Sequence, residues 1–97
     1  MNVLEEKTNF VEELNEKRKL YTLKNNEYKE LKCKLLLETN FEKILDKSRP
    51  TVGEKEAYVD LKTIELKKEK ELLYDDIKYL EMKIDLCNDK INLGVEL

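Results

Sequence analysis

Ser48-Arg49-Pro50-Thr51-Val52-Gly53-Glu54 is the one stretch of this chain dense in helix breakers, and its reading decides the fold. Pro50 carries no amide hydrogen and pushes Arg49 out of the α region, so no helix continues through it. Thr51 followed by Glu54 is the S/T-x-x-E pattern of a capping box, in which the hydroxyl accepts the N3 amide while the carboxylate reaches back. Glu54 and Glu56 also favour the positive end of a new helix dipole. Gly53 in the first turn costs little enough to be tolerated. The expectation is therefore a first helix over about 3–47, a turn at 48–51 and a second helix over about 52–92. Gly94 then supplies a stop, and a short tail covers 93–97. Asn25-Asn26 is a weak point of the first helix and not a turn by itself.

Outward from the turn, both predicted helices carry seven-residue apolar repeats. In the second, Val59, Leu66, Leu73, Leu80 and Cys87 form one line, and Ile77, Ile84 and Ile91 form another. In the first, Leu14, Tyr21, Tyr28 and Leu35 repeat at the same interval, with Phe10 and Leu31 alongside. Such repeats define the buried seam of a coiled-coil pair. An antiparallel pairing about residue 50 sets Leu14 against Cys87, Tyr21 against Leu80, Tyr28 against Leu73, Leu35 against Leu66 and Phe10 against Ile91. The same register leaves Lys17 facing Ile84, Lys24 facing Ile77 and Leu31 facing Lys70. Lysine stems can cover these positions with their ammonium groups in water, but the seam is weakened there. The fold class expected is all-α: an antiparallel two-helix hairpin of coiled-coil type, one domain over residues 1–97.

Two helices cannot cover all the apolar surface. The second carries a further line of Tyr58, Leu72, Tyr79 and Leu86, interrupted once by Glu65, and the first adds Leu20, Leu23, Leu36, Leu37, Phe41 and Ile44. A contiguous exposed apolar strip marks an interface. The candidate interface residues are Tyr58, Leu72, Tyr79, Leu86, Leu20, Leu23, Leu37 and Phe41. The expected partner is the chain itself, most simply as a dimer forming a four-helix bundle. A further, unidentified protein partner is also expected.

Composition agrees with long helices. Charged residues make up 42% of 97 residues, hydrophobic ones 40%, with two Gly and one Pro, and regular apolar spacing argues against disorder. The net charge of −3 comes from interleaved signs, so no basic field exists to drive phosphate binding, and a nucleic-acid partner is not expected. Lys17-Arg18-Lys19 reads as a wet helix face. The longest aliphatic run is Leu35-Leu36-Leu37, far short of the roughly 18 residues of a membrane span. Met1-Asn2-Val3-Leu4 leads into Glu5-Glu6 without the basic and apolar regions of a signal peptide. The expected location is the cytoplasm. In the predicted hairpin Cys33 and Cys87 lie roughly 28 Å apart along the axis, too far for a disulfide.

Candidate chemistry is sparse. The chain has no histidine, which removes Ser/His and Cys/His nucleophiles, and two separated thiols make no zinc ligand set. No GxxxxGK[ST] loop occurs. Glu5-Glu6, Glu12-Glu13 and Asp75-Asp76 fall on outward positions and read as solvated faces. Cys33, flanked by Lys32 and Lys34, points away from the seam; Cys87 lies on the core line and reads as a small hydrophobe. Tyr21 and Tyr28 fall on the seam, whereas Tyr58, Tyr74 and Tyr79 lie beside or off it, where aromatic residues suit contact with a partner. No enzymatic activity and no cofactor are expected.

The stretch Arg49-Pro50-Thr51-Val52-Gly53-Glu54-Lys55-Glu56-Ala57-Tyr58-Val59, set between two charged helices, resembles small helical accessory proteins of phages and prophages of Gram-positive bacteria. Those proteins share a Thr-Val-x-Glu-[Arg/Lys]-Glu-Ala run at the start of a second helix. The resemblance covers the layout of the whole chain and about ten residues in detail. It implies a phage-type accessory protein working in the bacterial host cytoplasm, and it transfers no functional residues. The function expected is a non-enzymatic protein–protein interaction module, binding or inhibiting a nucleic-acid-processing or defence protein. A self-assembling scaffold is one alternative, and a binder of a small anionic nucleotide at an oligomer interface is another.

Overall fold

A computed structural model describes residues 2–94. Among them helices are the only regular structure: α1 (Val3–Glu38), α2 (Phe41–Ile44), α3 (Val52–Lys62) and α4 (Ile64–Asn92). The chain forms two compact units. The first joins the start of α1, up to Thr22, to the part of α4 from Glu71 onward; the second comprises Leu23–Lys70. Of the predicted tail, residues 95–97 lie outside the described residues, as does Met1.

In the first unit α1 and α4 pack antiparallel. Leu14, Ile77 and Leu80 form the buried cluster, with Phe10, Tyr21 and Ile84 packed against it. Val3 and Cys87 are also buried. All but Val3 belong to the repeats read from the sequence, and they turn inward because every third or fourth residue of a helix shares one face.

The register differs from the one predicted. The Tyr21 ring meets that of Tyr74, centroids 6.4 Å apart, where Leu80 was the predicted partner. Lys17 reaches Asp76 at 3.4 Å, and Arg18 reaches Glu81 at 3.3 Å. The partners of Tyr21 and Lys17 lie six and eight residues earlier in the second helix than the predicted ones, a slide of about two turns. The physical reason lies partly in the lysines. Sliding the helices takes Lys17 off Ile84 and gives it a carboxylate, so the predicted defect in the seam becomes an ion pair on its edge.

In the second unit the same relief operates on Lys24, which lies 3.1 Å from Glu69 and 3.4 Å from Glu27. These carboxylates, Glu69 first, raise its pKa above the ordinary lysine value. Lys70 donates to Asn25 Oδ1 at 3.0 Å and sits 4.6 Å over the Tyr28 ring. α1 runs unbroken through Asn25-Asn26.

The first helix ends earlier than predicted. α1 stops at Glu38, and α2 is a separate turn that begins after Asn40. The Asn40 side chain accepts from the Lys43 amide at 3.3 Å, so an asparagine in the right place opens a new helix by capping it. Beyond α2, Asp46 takes a left-handed backbone, φ 51°, a conformation that Asp and Asn adopt more readily than most residues.

The second helix starts at Val52 on a complete capping box. Thr51 Oγ1 accepts from the Glu54 amide at 3.1 Å, and Glu54 Oε1 accepts from the Thr51 amide at 3.3 Å. It is interrupted once. Thr63, fully buried, donates its hydroxyl back to the Val59 carbonyl at 2.8 Å and separates α3 from α4, as threonine hydroxyls do when they compete for helix carbonyls. Backbone bonds nevertheless continue from Thr63 to Val59 and from Lys67 to Thr63. α4 ends at Asn92, and Gly94 beyond it has φ 74°, the left-handed stop that glycine supplies.

Candidate functional site on helix α4

α4 has two apolar faces. One holds Ile77, Leu80 and Cys87 against α1. The other holds Leu72, Tyr79 and Leu86, exposed to 66%, 53% and 47%, with Met82 between them at 51%. At 100° per residue this second line lies well round the helix from the buried one, so α4 cannot present both to α1. All four residues lie in the first unit. Leu93, seven residues after Leu86, is 79% exposed and continues the line past the helix end.

The strip is edged by charge. Asp76 and Lys83 flank it on one side; Lys78 and Asp85 flank it on the other. Asp76 holds Lys17, while Lys78 reaches Glu81 at 3.5 Å and lies over the Tyr74 ring at 5.2 Å. Lys83 lies 5.4 Å over the Tyr79 ring and helps fix that ring in place. Among the described residues, neither Lys83 nor Asp85 has an ion pair within the chain. At the Leu86 end a groove opens, lined by Glu6, Phe10, Lys83, Leu86, Cys87 and Lys90.

Of the eight candidate interface residues, three lie together. Leu72, Tyr79 and Leu86 share the line on α4. Leu20 is exposed on α1, three residues from Lys17, on the flank where Lys17 meets Asp76. Leu23 and Leu37 are exposed in the second unit, Leu37 to 86%. Tyr58 and Phe41 require a correction. Phe41 is buried, its ring 5.8 Å from that of Tyr58 and edge-on to it, and Tyr58 is half-buried. The cause is the break at Thr39-Asn40, which starts a new helix at Phe41 and turns that ring inward; a helix running straight to Lys47 would have left it outside. Lys55 and Lys62 lie 5.6 Å from the Phe41 and Tyr58 rings respectively and close over the pair.

Met82 and Leu93 escaped the sequence reading. Leu93 stands at the same seven-residue interval as Leu72, Tyr79 and Leu86, but a residue assigned to a tail is not counted on a helix face. Met82 follows Tyr79 by three residues, a spacing that marks a shared face.

No match to the chain is found among protein families, curated proteins or solved structures. The site thus stands on its geometry. No group of three potential metal ligands converges among the described residues, and no buried side-chain nitrogen or oxygen there lacks a partner. No described helix is long and apolar enough to cross a membrane. Cys33 is exposed and Cys87 buried, both as free thiols. What the strip can do physically is bury apolar area against another protein surface, with charges on both sides to set the orientation.

Proposed function

We propose that this chain is a non-enzymatic protein–protein interaction module whose docking surface is the outer face of α4. The observation that carries this reading is the line of Leu72, Tyr79, Met82 and Leu86, all about half exposed or more on a single helix. Isolated exposed leucines are ordinary on protein surfaces; four aligned side chains on a helix with a separate, fully used core face are not. The Tyr79 ring, held by Lys83, has the amphipathic character favoured at the centre of interfaces. A role as an accessory protein of the phage type, in a bacterial cytoplasm, is the setting that the resemblance around Thr51–Ala57 supports.

The test is a photoreactive phenylalanine analogue placed at Tyr79 or at Leu86, with Glu16, exposed on α1, as the control position. Irradiation in cells is expected to give a defined heavier adduct from the two strip positions and none from the control. Equal labelling from all three positions, or adducts from none, overturns the docking reading.

A further inference from the structure

We infer that the occupant of this strip is the same strip of a second copy, running antiparallel to it about a two-fold axis between Tyr79 and Met82. The inference rests on the docking reading above and adds the partner and its register.

The argument comes from the order of charges beside the strip. With Leu72, Tyr79 and Leu86 on the a line and Met82 on d, Asp76 and Lys83 occupy e positions, while Lys78 and Asp85 occupy g positions. In an antiparallel pair, e faces e and g faces g across the seam. Centring the pair between Tyr79 and Met82 packs each Tyr79 on the Met82 of the other copy. It sets each Leu72 against Asp89 and each Leu86 against Asp75 of the second copy, so the two Tyr79–Met82 layers are the apolar part of the seam and the leucines close its ends. Asp76 then faces Lys83 of the second copy and Lys78 faces Asp85 of the second copy, and by symmetry each pair occurs twice. All four flanking contacts join opposite charges. They also supply Lys83 and Asp85 with the carboxylate and ammonium that no described residue of their own chain offers.

A parallel pair reads the same residues differently, because g then faces the e position five residues on. Lys78 would meet Lys83 and Glu71 would meet Asp76, each repulsion occurring twice, against which Asp85 with Lys90 is the one attractive pair. The charge pattern therefore selects the antiparallel arrangement and penalises the alternative. Asp75 and Asp89, both exposed, hold the neighbouring d positions and bound the apolar seam on either side of Met82. The seam is short, so the pair belongs to the weak class of interfaces.

The experiment uses the full chain and two charge variants. One carries Lys78→Asp with Lys83→Asp; the other carries Asp76→Lys with Asp85→Lys. Sedimentation equilibrium at ~100 µM, where weak pairs populate, is expected to give the mass of two chains for the unaltered protein and of one chain for each variant. An equimolar mixture of the variants is expected to recover the two-chain mass. Circular dichroism and urea unfolding monitor folding; all four positions lie outside the core. Since Asp76→Lys also removes the Lys17 ion pair, the Lys78/Lys83 variant, which keeps that pair, must by itself give the one-chain mass. Orientation is read with the photoreactive residue at Leu86 in purified protein: the adduct maps to the segment around Leu72 and Asp75 of the second copy.

A one-chain mass for the unaltered protein, variants that pair as the unaltered chain does, or an adduct mapping to Leu86 of the second copy each overturns the inference. A one-chain mass together with a strip-specific adduct to a different protein in cells would sink the second-copy reading and leave the docking surface standing. Loss of every strip-specific adduct would remove both.

Discussion

Leu80 and Tyr79 are neighbours in the chain and face opposite ways. Leu80 is 3% exposed in the cluster with Leu14 and Ile77; Tyr79 is half exposed under Lys83. Leu80→Ala is expected to lower stability by about 2–5 kcal/mol, through lost burial and the cavity left behind. Urea unfolding followed by circular dichroism checks it. Tyr79→Asp is expected to leave helicity and the urea midpoint nearly unchanged, because exposed positions tolerate charge. Equal loss from both substitutions would mean that α4 has one working face and not two. Cys87 offers a chemical version of the contrast. In native protein a maleimide is expected to modify Cys33 quickly and Cys87 only on unfolding, because the latter is 3% exposed; mass spectrometry of timed samples resolves the two.

Among the elements, α3 depends most visibly on one local device. The Thr51 cap satisfies amides that would otherwise lack partners at the helix start, so Thr51→Ala is expected to cost about 1 kcal/mol in a thermal or urea melt. Glu54 completes the box and also holds Lys47 at 2.9 Å. The Lys47 hydrogen bond first, and the Thr51 amide next, lower its carboxyl pKa below the usual glutamate value. A lowered folded-state pKa stabilises the fold at pH above the ordinary carboxylate value, and the benefit disappears as pH falls through the lowered one. Acid titration is therefore expected to weaken the start of α3, and Glu54→Gln to flatten that local dependence. Amide exchange of residues 52–56 across the acid range is the measurement. A gradient unchanged by Glu54→Gln would show that the box contributes nothing to the pH response. The effect is modest because Glu54 is partly solvated and surface ion pairs are weak.

At the scale of the whole molecule the core is thin. Among the described residues Val3, Leu14, Phe41, Val59, Ile77, Leu80 and Cys87 are the buried apolar side chains, shared between two units. Small cores of this kind leave little margin. If a second copy covers the outer face of α4, the melting temperature rises with protein concentration, as mass action requires of any folded-state association. The expected result is an upward drift over a hundredfold concentration range, lost with Leu72→Asp. A melting temperature independent of concentration would argue for a monomer whose thin cores suffice.

The sequence by itself determined the features that depend on a few adjacent residues. Pro50 and the Thr51–Glu54 box placed the turn and the start of the second helix, Gly94 its end, and the seven-residue interval the inward faces of Leu14, Ile77, Leu80 and Cys87. The strip of Leu72, Tyr79 and Leu86 was legible for the same reason, because helical periodicity is a local property. Tertiary structure alone decided the register, since a seven-residue apolar repeat pairs nearly as well when slid by one whole repeat, about two turns. Part of the choice lay in which carboxylates Lys17 and Lys24 could reach across the gap. It also decided the fate of Phe41. Asn40 and Thr63 carry small local preferences that act only where packing makes a break in the helix worthwhile, and the ring of Tyr58 provides the surface onto which Phe41 turns.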